Sequence, residues 1–160
     1  MPDKTNTSGF TLVELMVVIA LLAIVALIAA PSFTDMIERN RLQSQAEELK
    51  SFLIYARGEA VTLRSTITVE TDDEEAWVVE RGGTIIRQFE QNPDLVTIRS
   101  STETITFRGN GTATAATFTV CHDDDPDRGY FLEIQASGAT NLYLPGEKDA
   151  NHTDLDSCTL

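Results

Sequence analysis

The sequence predicts an α+β protein: one long N-terminal helix packed, in its second half, on an antiparallel β-sheet. Three observations predict it. Residues 10–30 form an apolar run broken only by Thr11 and Glu14. Apolar residues then recur at helical steps of three and four as far as Leu63. Beyond Arg64 the pattern changes to short β-branched runs separated by turn residues, and a helix succeeded only by strands is the order of an α+β domain.

The first element is long enough to meet a membrane. At about 1.5 Å per residue, residues 10–30 span roughly 31 Å of helix, the thickness of a hydrocarbon core. An ordinary secretory signal fits poorly, because the head carries one Lys and one Asp and Pro31 comes directly after the Ala29-Ala30 pair where a cut would fall. Glu14 needs an explanation of its own. An ionised carboxylate in lipid costs a few kcal/mol, and no basic residue lies within one or two turns of it. Its positive partner must come from another chain or from a newly made terminus.

The stripe of the second element runs through Phe33, Met36, Ile37, Leu42, Ala46, Leu49, Phe52, Leu53, Ala56, Ala60 and Leu63. Pro31 lacks an N–H and is expected to bend the rod without ending it, which gives one helix from about Phe10 to about Arg64. Gly58 inside it costs about 1 kcal/mol relative to Ala. Strands are predicted at 66–71, 76–81, 84–89, 95–99, 104–108, 117–121, 130–134 and 141–144. Gly82-Gly83 marks a tight hairpin, and Gly109-Asn110-Gly111 and Ser137-Gly138 mark further turns. Phe52, Trp77, Phe89, Phe107, Phe118 and Phe131 mostly alternate with polar neighbours and are assigned to the sheet's inner face.

The chain of 160 residues carries 25 acidic and 12 basic side chains, a net charge of −13. Most of the excess lies beyond residue 65. An acidic surface repels phosphate backbones, so nucleic-acid binding is not expected. Cys121 and Cys158 are the only cysteines. If the apolar segment directs export of the residues C-terminal to it, both lie where disulfides persist, and pairing is the first reading; two separate buried thiols are the alternative. A bridge would add about 3 to 4 kcal/mol through the loop it closes.

Gly9-Phe10-Thr11-Leu12-Val13-Glu14-Leu15, after a short polar head and ahead of the apolar run, resembles the class III signal of type IV pilins and pseudopilins. The resemblance implies a leader at 1–9, cleavage between Gly9 and Phe10 by a prepilin peptidase, and N-methylation of Phe10. It further implies a transmembrane segment at 10–30, an amphipathic half-helix at 31–64 and a sheet domain at 65–160. In such proteins the glutamate at the position of Glu14 neutralises the terminal amine of a neighbouring subunit. Leu42-Gln43-Ser44-Gln45-Ala46-Glu47-Glu48-Leu49 and Tyr55-Ala56-Arg57-Gly58-Glu59-Ala60 resemble the helix of the FimT/FimU/GspH group, as do Phe107 with the glycines after it and the 129–138 segment. The fold so implied is type IV pilin-like. The function implied is that of a minor pilin that helps initiate or cap a pilus, with a GspH-like pseudopilin of a type II secretion system as the alternative. Implied partners are other pilin or pseudopilin subunits, the peptidase and inner-membrane lipid, with the C-terminal domain in the periplasm. Some FimT-like relatives bind DNA through an arginine-containing tail, but residues 141–160 hold only Lys148 among four acidic residues.

Other constellations carry less. His122 and His152 lack the closely spaced thiol pairs of a zinc site, and no metal or cofactor is expected. Asp123-Asp124-Asp125-Pro126-Asp127 lacks the ligand spacing of a calcium loop and reads as a solvated turn, like Asp72-Asp73-Glu74-Glu75. Arg57 and Arg64 suit the negative end of a helix dipole, and Arg57 can equally pair with the neighbours of Glu59 or with a partner subunit. Nothing resembles a nucleophile motif or phosphate loop, so no enzyme is expected.

Overall fold

Thr11 precedes the first helical residue and accepts the Glu14 N–H through its Oγ1 at 3.2 Å, which satisfies one of the donors a helix start leaves open. From that cap, helix α1 runs Leu12–Leu63 and does not end at Pro31. It stops in a Schellman geometry: Arg64 takes φ 49°, its N–H donates to Val61 O, and the Ser65 N–H reaches back to Ala60 O. The computed structural model describes residues 10–72, 76–91 and 96–160, and the side chains of 28–32 lie outside the described residues.

The chain divides into two units, one up to Glu38 and one from Arg39 onward. In the first, the apolar side chains from Phe10 to Leu27 are exposed on every side of the helix. Among the described residues no helix is long and apolar enough to cross a membrane. The described side chains of the run stop at Leu27.

In the second unit the helical stripe becomes a true inner face. Leu42, Ala46, Leu49, Phe52, Leu53, Ala56 and Ala60 are buried, whereas Phe33, Met36, Ile37 and Leu63, which share the same periodicity, are exposed. Among the described residues eight strands come after the helix: β1 Ile67–Glu70, β2 Ala76–Arg81, β3 Thr84–Glu90, β4 Thr97–Ser100, β5 Thr104–Phe107, β6 Ala116–Cys121, β7 Tyr130–Ile134 and β8 Thr140–Leu142. They make two four-stranded antiparallel sheets, in the orders β3-β2-β1-β5 and β4-β6-β7-β8. The chain enters the second sheet at β4, returns to the first at β5, and leaves again at β6. Tight local pairing in chain order is clearest at β2–β3, closed by Gly82 and Gly83 at φ 57° and 79°, and in the hairpins of β6, β7 and β8.

One core unites helix and sheets. Phe52 of α1 lies 5.5 Å from Phe89, Phe89 6.1 Å from Trp77, and Trp77 5.8 Å from Phe118 of the other sheet, an aromatic chain through all three elements. Phe131 departs from the expected inner face. Leu132 and Ile134 take that face of β7, so Phe131 points outward and stacks on Tyr143 at 6.3 Å.

The outer face of the second sheet is partly covered by the C-terminal segment. A disulfide joins Cys121 of β6 to Cys158 across 37 residues. Thr119 Oγ1 and Arg99 Nη1 both donate to Cys158 O, at 2.7 and 3.0 Å. Lys148 pairs with Asp156, and the Leu155 N–H donates to Gly146 O. A cross-link of that span contributes about 3 to 4 kcal/mol by constraining the unfolded chain. Replacing both Cys121 and Cys158 by Ser should therefore lower the unfolding free energy by about 3 kcal/mol in denaturant titration, with helix and sheet signals retained. A change below about 1 kcal/mol would show that the hydrogen bonds to Cys158 O hold the segment without the bridge.

Candidate functional site

The residues singled out from the sequence fall at two places. Gly9 lies outside the described residues. Phe10 is 85% exposed, and Glu14 is exposed one turn into α1 with no ion pair among the described residues. The cap brings Thr11 and Glu14 together: T-x-x-E is the capping-box pattern, in which the N3 carboxylate can reach back to the cap residue's own N–H. Sequence reasoning passed over Thr11, although the spacing that signals it was present. Cys121 and Cys158 meet in the other unit and have no part in the N-terminal arrangement.

Arg57 has a role the sequence did not reveal. Its Nε donates to Gly111 O at 3.0 Å and its Nη2 to Ser137 O at 3.4 Å. One guanidinium thus ties α1 to the turn that leads from the first sheet into the second, and to the β7–β8 turn. Gly138 takes φ 81° against this clasp, and a Cβ there would lie 2.6 Å from Arg57 Nε and closer still to Gly111 O, so any side chain would push the clasp apart. These contacts span 54 and 80 residues, beyond the reach of any local pattern.

The acidic turn after β6 is an ordered electrostatic knot. Asp125 accepts from Arg128 Nε at 2.7 Å and from the Asp127 N–H at 3.1 Å, and chiefly the Arg128 hydrogen bond holds its carboxyl below the usual range. Asp124 pairs with Arg99 at 2.8 Å. Burial, then the hydrogen bond to Glu133, pushes the Tyr143 hydroxyl up. Among the described residues no group of three or more His, Cys, Asp or Glu side chains is placed to hold a metal ion. What the geometry offers is a helix in one unit whose exposed apolar stretch up to Leu27 bears one carboxylate, Glu14, and a cross-linked sheet domain in the other.

Comparison with known proteins accords with that division. A family model described as type II transport protein GspH matches residues 45–138, more than half of the chain. The chain belongs to the GspH family. A second model, the prokaryotic N-terminal methylation motif, matches residues 4–30 and so includes Gly9, Phe10, Thr11 and Glu14. The type IV minor pilin FimU of Pseudomonas aeruginosa is similar in structure, with a TM-score of 0.62 and 29% identity over 76% of this chain and 97% of that one. The minor pseudopilin EpsH of the Vibrio cholerae type 2 secretion system shares the fold, with a TM-score of 0.54 and 16% identity over 66% of this chain and 98% of that one. No curated protein sequence matches the chain. The chain is therefore a minor pilin or pseudopilin of the FimT/FimU/GspH group with the type IV pilin-like fold. The GspH match spans Arg57, Gly111 and Gly138 together, and it ends before Cys158.

The acidic turn gives a pH signature. A carboxylate whose folded pKa is depressed adds stability that is present above its ordinary value of 3.8 and disappears as pH falls through the lowered folded value. In an NMR titration of the carboxyl carbons, Asp125 should therefore titrate below 3.8 in the native protein and move back toward 3.8 in Arg128→Met. An unchanged midpoint in the variant would show that the backbone N–H groups, rather than Arg128, hold the charge.

Proposed function

We propose that this chain is a minor pilin of a type IV pilus. It is cut between Gly9 and Phe10 by a prepilin peptidase, N-methylated on Phe10, and held in the inner membrane as a single pass by residues 10–30 with its sheet domain in the periplasm. From there it passes into a filament with other pilin subunits, where it helps initiate or cap assembly. The observation that carries the reading is the first half of α1: an apolar surface exposed on every side, bearing near its start one carboxylate with no ion pair among the described residues. Such a surface is unstable in water and suits lipid or the interior of a bundle. The carboxylate then requires a positive charge from outside its own helix, and the amine of a processed neighbour supplies one. The likeness to a pilus subunit at 29% identity, against 16% for the secretion subunit, supports the pilus. The second reading, a pseudopilin of a type II secretion system, is favoured by the description of the matching family itself.

Processing is tested by N-terminal sequencing of membrane-extracted protein, which should begin at methylated Phe10. An intact Met1, or a start at Pro31, would contradict it.

Glu14→Ala should leave cleavage and membrane insertion intact, since the segment becomes more apolar. It should cut the amount of protein in sheared filaments at least about tenfold, an effect equivalent to about 1.4 kcal/mol. Wild-type levels of the variant in filaments would show that Glu14 does not set the contact between subunits.

A further inference from the structure

The outward side of α1 in the sheet-bearing unit is not uniformly polar. Ile54 and Val61 are each about half exposed, at 49% and 46%, and they stand on either side of Gly58 at the i, i+4 and i+7 spacing of one helical face. With Arg57, Thr62, Gly138 and Thr140 they line an open groove of about 470 Å³. Its far wall is the β7–β8 turn, held in place by the hydrogen bond from Arg57 to Ser137 O.

Among the described residues nothing explains the glycine on its floor. A Cβ at Gly58 would meet no atom within 4 Å, and Gly58 is not among the glycines at positive φ. Alanine, with its higher helix propensity, would stabilise the helix at this position. A bare Cα between two aliphatic side chains, with Thr62 one turn further on, is the surface that lets a second helix approach at short interaxial distance. The only charged side chain lining the groove is Arg57, which directs its Nε and one Nη2 N–H to Gly111 O and Ser137 O.

The chain itself presents an occupant of the matching kind. Residues 12–27 are a helix that is apolar apart from Glu14 and exposed throughout, so a subunit of this design brings to any assembly a helix that needs cover. We propose that the groove centred on Gly58 receives the apolar N-terminal helix of another subunit. The inference rests on the filament reading above and names the surface on which that contact forms.

Gly58→Leu tests it, because the new side chain fills the groove from a position with open space around its Cβ. The full-length variant should reach wild-type levels in membranes and unfold no earlier than wild type, yet enter filaments at least tenfold less. Gly58→Ala should unfold later and fall between the two in assembly. In parallel, a benzophenone amino acid at position 54 of filament-borne protein should cross-link to peptides from residues 10–27 of a subunit, and the same probe at position 85, on β3, should not. Gly58→Leu entering filaments as wild type does, or adducts from position 54 falling in sheet-domain peptides, would overturn the groove while leaving the filament reading standing. Wild-type protein missing from filaments altogether would overturn both.

Discussion

The constraint on which the rest of the molecule depends is that α1 must meet two kinds of surroundings with one backbone. Up to Leu27 its side chains, Glu14 apart, are apolar all round, so no orientation of the helix hides them from water. From Leu42 onward the apolar residues narrow to one stripe, and Ala46, Ala56 and Ala60, fully buried, keep that stripe thin enough for the sheets to close on it. Each of Leu49, Phe52 and Leu53 removed from water contributes about 1.5 to 3 kcal/mol, and without them neither sheet has a complete inner layer. The sheet domain is thus built on a helix whose other half has to be satisfied by lipid or by protein.

What the sequence made legible was local, and what it hid was not. Strands β2 and β7 were readable to their ends because turn residues punctuate them and their side chains alternate. The helix was readable because its period persists, and its stripe was overextended for the same reason: Phe33, Met36 and Ile37 keep the period but precede the unit that could bury them. The division into two sheets was not readable, since β1 pairs with β5 and β4 with β6, and no turn signal records which strand a later one will join. Phe131 was misplaced because one aromatic residue in a short alternating strand fits either face, and only Leu132 and Ile134 decide it.

The N-terminal signal was legible as a motif because its parts lie side by side, yet its structural content reaches further. Thr11, read only as a letter of a signal, also caps the helix through the Glu14 N–H, so one short segment both carries the charge and fixes where the helix that presents it starts. Arg57 plays a comparable part for the domain. Its two hydrogen bonds go to backbone carbonyls, so they depend on the paths of two turns and leave the side chains of those turns free to vary.

The aromatic chain through the core has an optical consequence. Trp77 is the only tryptophan, and it lies between Phe89 of its own sheet and Phe118 of the other, within the core that α1 covers through Phe52. Its indole, 2% exposed, is shielded from water only while helix and both sheets remain docked. Intrinsic fluorescence excited at the indole band therefore reports the integrity of the domain through a single chromophore. Because that chromophore sits in the core of the sheet-bearing unit, its emission reports loss of that unit's fold without any added label.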